Sequence, residues 1–190
     1  MKKQKLRRLI EVSLFAALIL VTVQFLRIQV GPQFVHLGNA LVVIAILVFG
    51  SGFGALAAAL GLGLFDIFNG YAAEVWITIL ESLLVCYVLH LVYEKAMKAN
   101  DKPATIFTVG LIAAVTKIIL NLFKYTLINS FIGGLTLLPA MTGALAKITG
   151  TFGTSIVTVV AVPILYPIFK RLSKVKNNFK KAKERLKHWF

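Results

Sequence analysis

The sequence predicts an all-α, polytopic membrane protein with six transmembrane helices and both termini in the cytoplasm. Three observations predict it. Of the 190 residues, 58% are hydrophobic and 15% charged, whereas soluble chains carry about a quarter charged residues to coat their surface. The apolar residues gather into runs that approach or exceed the ~20 residues of helix needed to cross a hydrocarbon core. The net charge is +14, from 21 Lys+Arg against 7 Asp+Glu, and most of the basic residues lie in three places. These are Lys2, Lys3, Lys5, Arg7 and Arg8 at the start, the region 95–102, and the tail after residue 169. Such clustering follows the positive-inside rule for cytoplasmic flanks.

The first span runs from Leu9 to about Ile28. Its basic start and apolar VSLFAALILVTV resemble a secretory signal, but no small-x-small cleavage site precedes a polar region, so it is read as retained. Span two is Leu37–Phe49, joined through a GSGFG turn at 50–54 to span three, Ala55–Phe68, which ends at Asn69-Gly70. Both are short and must lean on neighbouring helices. Span four covers Ala73 to about Tyr93 and span five Ala104–Ile128. Span six, Leu137 to about Phe169, is overlong, and Pro163 and Pro167 are expected to kink or end it. The three outer loops, IQVGPQFVH, NGYAAE and NSFIGG, hold no Lys or Arg, while YEKAMKANDKP joins the basic ends on the inner side. Residues 1–172 form the membrane domain and 173–190 a basic cytoplasmic tail. That tail reads either as a solvated charge run or as an amphipathic helix on the inner leaflet, with Trp189 and Phe190 at the lipid interface.

Charges placed at loop ends argue against nucleic acid as a partner. Cys86 is the single cysteine, which excludes an internal disulfide and a cysteine-based metal site. No P-loop, HExxH or G-x-S-x-G pattern occurs, so no enzyme activity, cofactor or metal is expected.

Chemistry is sought instead among intramembrane polar groups. A charge near the bilayer centre costs about 2.5–3.5 kcal/mol on insertion scales and is kept for a partner or a ligand. At about 1.5 Å rise per residue, Glu81 and Asn121 lie about 12 Å below the outer ends, Lys147 about 13 Å, Lys117 about 18 Å and Lys124 about 7 Å. These groups, from three consecutive spans, converge into a candidate pocket. Lys117, Asn121 and Lys124, at i, i+4 and i+7, share one helix face. A structural pair of Glu81 with Lys117 or Lys147 explains part of the set, with Lys124 snorkelling outward. It leaves more lysines than glutamates, which points to an acidic or strongly hydrogen-bonding ligand. Trp76 and Tyr71 either stack on a ring or belong to the interfacial aromatic belt. On span one, Ser13, Ala16 and Ala17 offer a small-residue face on which a partner subunit can approach closely.

The stretch HLGNALVVIAILVFGSGFGALAAALGLGLFDIFNGY, residues 36–71, resembles helices two and three of the substrate-binding S components of energy-coupling factor (ECF) vitamin transporters. The likeness rests on His36, Gly38 and Asn39 at the entry, Phe49, Gly50 and Gly54 at the turn, and Asp66, Gly70 and Tyr71 at the exit. The resemblance implies a subunit of the bacterial cell membrane that captures a vitamin from outside. Release inward then requires a transmembrane coupling (T) subunit and two cytoplasmic ATPases. It places Glu81, Lys117, Asn121, Lys124 and Lys147 around the ligand, with His36 and Asn39 at the entry and Gln33 to His36 in a lid; Trp76 joins them as a candidate for stacking on the ligand's ring. It also puts the coupling contact on helix one, where this chain departs from the family's alanine pattern with Ser13-x-x-x-Ala17 followed by Val21. The H-L-G-N entry looks most like members for hydroxymethylpyrimidine or pyridoxine-type ligands. Pantothenate and riboflavin are alternatives. The rival class, a self-sufficient carrier built from an inverted repeat, lacks support, since residues 1–95 and 96–190 show no convincing similarity.

Overall fold

A computed structural model of the chain describes residues 2–186, and side chains for residues 5–173. Among the described residues seven α-helices form the body: α1 (Lys2–Phe25), α2 (Gly38–Phe49), α3 (Ser51–Phe68), α4 (Val75–Leu89), α5 (Pro103–Phe131), α6 (Leu137–Lys147) and α7 (Thr149–Leu186). A 3₁₀ turn, Ala72–Glu74, leads into α4, and a π-helical stretch, His90–Ala96, continues it. Between α1 and α2 the chain forms an antiparallel hairpin of β1 (Ile28–Val30) and β2 (Gln33–Val35), where the sequence suggested only a loop.

Four of the helical segments described, Ser51–Phe68, Ala72–Ala96, Pro103–Phe131 and Thr149–Ser173, are long and apolar enough to cross a membrane, and Gly38–Phe49 is a shorter apolar helix. The protein is thus a helical, multi-pass membrane protein. The short α2 is the innermost element, with Ala40, Ile44 and Ala45 fully buried. Because α1, α3 and α7 all pack against it, its 12 residues need little lipid contact, which explains how so short a span is stable. The α2–α3 turn is tighter than the sequence suggested: Gly50 alone, at a φ of 86°, separates the helices.

The last predicted span differs most. Pro163 and Pro167 both lie inside the uninterrupted α7, and the chain breaks instead at Ile148, between α6 and α7. The break lets α6 fold back on α5 while α7 packs along α5 and α2. It also brings the start of α7 against the hairpin. A Cβ at Gly150 would lie 2.6 Å from the Cβ of Gln33, and one at Gly153 2.4 Å from a methyl of Val35, closer than non-bonded carbons approach.

On α1, Ala16 is buried and its carbonyl faces Gly61 of α3, where an added Cβ would come within 2.8 Å. Ser13 and Ala17 face outward. Small residues thus serve helix contact inside the bundle and leave a narrow small-residue strip on its surface. Helix α7 runs unbroken through the boundary drawn at residue 172 as far as Leu186. Trp189 and Phe190 lie outside the described residues.

Candidate functional site

The β1–β2 hairpin and the ends of α3, α4, α5 and α7 enclose a cavity of about 230 Å³. Helix α5 supplies Lys117, Asn121, Lys124 and Tyr125 to its wall, because residues three and four apart stack on one side of a helix. From the opposite side come Asp66 of α3, Glu74 of the 3₁₀ turn and Thr78 of α4. Asn39 of α2 sits at its floor together with His36, and Thr151 and Thr154 of α7 complete it. Beneath lies a narrow void of about 20 Å³ that shares Asn39 and Lys117 with the main cavity, space for about one water.

Glu81 organises the charges. Its carboxylate pairs with Lys117, and its Oε1 lies 3.5 Å from Lys124 Nζ. Lys124 also reaches Glu74 at 3.7 Å and sits 5.1 Å from the centre of the Tyr125 ring. Asn121 Nδ2 donates to the Lys117 carbonyl at 3.3 Å. Ionised groups held in so apolar a bundle need opposite charges nearby, and this network provides them. With Asp66 and Glu74 joining Glu81, the surplus of positive charge anticipated from the spans disappears: three carboxylates face two lysines.

The hairpin is fastened over the cavity from several sides. Gln33 Oε1 accepts from the Thr151 amide and hydroxyl, each at 2.9 Å, and Gln33 Nε2 reaches Tyr125 Oη at 3.4 Å. Thr154 Oγ1 donates to the Phe34 carbonyl at 3.1 Å and accepts from the His36 amide at 3.3 Å. The Arg27 guanidinium lies between the rings of Phe34 and Phe65, 4.6 and 4.9 Å from their centres, and donates to Asn69 Oδ1 at 3.1 Å. The hairpin is therefore tied to α3 by cation–π contacts and to α5 and α7 by hydrogen bonds. His36 Nδ1 accepts from the Gly38 amide at 3.1 Å, so the proton of the neutral ring belongs on Nε2. Burial, then the charges of Lys117 and Arg27, push the His36 imidazolium down from 6.5 to about 4, leaving it neutral at physiological pH.

Of the residues singled out in the sequence, Lys117, Asn121, Lys124, His36 and Asn39 line the cavity, and Glu81 stands behind two of them. Lys147 and Trp76 do not line it. Lys147 is exposed, donates to Asn129 Oδ1 at 2.9 Å and stands beside the Tyr125 ring at 5.8 Å. Trp76 is 63% exposed. Sequence reasoning missed Asp66 and Glu74 as cavity residues, although both sit at span ends, and missed Arg27, whose signal was a lone arginine at the end of the first span.

The family model of the ECF-type riboflavin transporter S component matches residues 3–174. The chain belongs to this family. No curated protein and no solved structure matches the chain. As an S component it is a substrate-binding vitamin-transport subunit and no enzyme; ATP hydrolysis falls to ATPases that work with it and a coupling subunit.

Proposed function

We propose that the chain captures a neutral, water-soluble heteroaromatic vitamin from the outer side of the bacterial cell membrane. It holds the vitamin in the hairpin-covered cavity and delivers it inward once docked to the T subunit and its two ATPases. The observation that carries this reading is the pairing of the lysines around the cavity. Lys117 and Lys124 already have carboxylate partners, so an anion such as pantothenate would have to compete with Glu81 and Glu74 for them. A neutral ring system can instead bridge the polar groups. Phe34, Tyr71 and Tyr125 offer ring surface to it, and Asn39 and Asn121 fix orientation.

Riboflavin is the first reading, supported by the family whose model the chain matches. A single-ring vitamin of the hydroxymethylpyrimidine or pyridoxine type is the second, favoured by a volume of about 230 Å³, below the ~300 Å³ at which ligand pockets usually begin. A three-ring flavin would need the hairpin to move outward. In this account six spans place both termini and the loop 97–102 in the cytoplasm. The exposed Ser13 and Ala17, on the surface of α1, form part of the docking strip for the coupling subunit.

The vitamin that co-purifies with the protein, read by mass spectrometry, tests the proposal. Riboflavin or a pyridoxine-type compound at near-stoichiometric amount is expected. Recovery of an acidic vitamin would overturn the charge argument.

A further inference from the structure

Asp66 is the buried charge that the lysine network leaves unexplained. It lies near the end of α3, is 8% exposed and lines the cavity. Thr78 lies beside its carboxylate, but Oδ2 has no hydrogen-bond partner among the described residues. Neither Lys117 nor Lys124 forms an ion pair with it; both are committed to Glu81, and Lys124 also to Glu74. A carboxylate with an unmet acceptor is costly in so dry a place. Structure alone gives little return for it, since α3 could end on a neutral residue at the same point.

The cavity is also asymmetric. Lys117, Asn121 and Lys124 bring cations and an amide from α5, while Asp66 brings a carboxylate outside any ion pair from α3; Glu74 is already tied to Lys124. A ligand that fills it meets donors on one side and acceptors on the other.

We propose that Asp66 accepts a hydrogen bond from an N–H or O–H group of the bound vitamin, and so selects ligands that carry a donor at that edge. This rests on the vitamin-binding reading above and adds to it a polarity: acceptor atoms of the ligand face α5, and a donor faces α3. It also rejects anions, because an acidic group placed at that edge would meet the Asp66 charge without a counter-ion.

The test uses the full-length protein purified in detergent, freed of bound ligand, and titrated with riboflavin, 3-methylriboflavin, which lacks the imide N–H, and lumiflavin, which lacks the ribityl hydroxyls. If riboflavin is not bound, pyridoxine, 3-O-methylpyridoxine and 4-deoxypyridoxine take their places. Asp66→Asn keeps the shape but exchanges one acceptor for a donor. It should weaken binding of the parent vitamin about ten- to a hundred-fold, as expected for losing a hydrogen bond to a charged group. The analogue lacking the donor that meets Asp66 should bind wild type and variant within about threefold of each other, so the penalty disappears for that ligand alone. An equal penalty across parent and both analogues would mean that Asp66 acts only through folding, and no penalty would mean that it does not meet the ligand; either overturns the inference. Failure of the wild-type protein to bind any of these vitamins would instead overturn the functional reading on which it rests.

Discussion

Glu81 reaches two lysines on the same helix, and that geometry sets what each substitution should do. Lys117→Ala frees one carboxylate oxygen and removes a donor from the cavity wall, while Glu81→Ala leaves two cations near each other without the acid they share. Both variants should lose vitamin affinity more than tenfold by calorimetric titration, whereas neutralising lysines of the tail should leave it unchanged. Retained affinity with a lowered melting temperature would make the pair a purely structural tie. His36 gives a pH signature. Its pKa is lowered in the folded protein, from 6.5 to about 4, so between those values the unfolded chain binds more protons. Stability from this group is therefore complete above about pH 6.5 and lost as the pH falls towards 4. Thermal melts across that range should show the decline, and His36→Gln should remove it.

Among the elements, the hairpin depends on the start of α7. Gly150 leaves no space for a methyl group against Gln33, and Gln33 is the residue that ties the hairpin to Thr151 and Tyr125. Gly150→Ala should push the hairpin off its seat, at an overpacking cost of about 1–3 kcal/mol, and raise the vitamin dissociation rate more than it slows association. Stopped-flow kinetics reads this directly. An unchanged dissociation rate would show that the hairpin does not retain the ligand. This element was also the hardest to anticipate. IQVGPQFVH is too short for a strand pattern to stand out, and the break at Ile148 has no proline to announce it, while two prolines lying inside α7 drew attention to the wrong place. The spacing of Lys117, Asn121 and Lys124 was legible because helical periodicity needs no tertiary information. Asp66 and Glu74 were not, because an acid at the end of an apolar run reads as interfacial until the neighbouring helices are in place. For the same reason Lys147, at the depth expected of a cavity residue, turns out to face Asn129 and the outer side of Tyr125: depth fixes a level in the bilayer but says nothing about direction around the helix.

At the scale of the whole molecule, one central helix, α2, is wrapped by α1, α3 and α7, and the polar cavity sits at one end of this bundle under the hairpin. Hydropathy and charge clustering sufficed to read a helical membrane protein, because lipid leaves the backbone few alternatives. The α2 core below the cavity is tightly packed, with Val43, Ile44, Ala45 and Ile46 each at most 1% exposed. As an S component, such a body works with a coupling subunit and ATPases. The direct measurement is vitamin association with lipid vesicles that contain this chain alone. Radiolabelled riboflavin, or pyridoxine if that is the ligand, should bind to saturation at about one per protein and stay exchangeable with unlabelled vitamin outside, with no accumulation in the lumen. Steady luminal accumulation without the T subunit and ATPases would contradict the account.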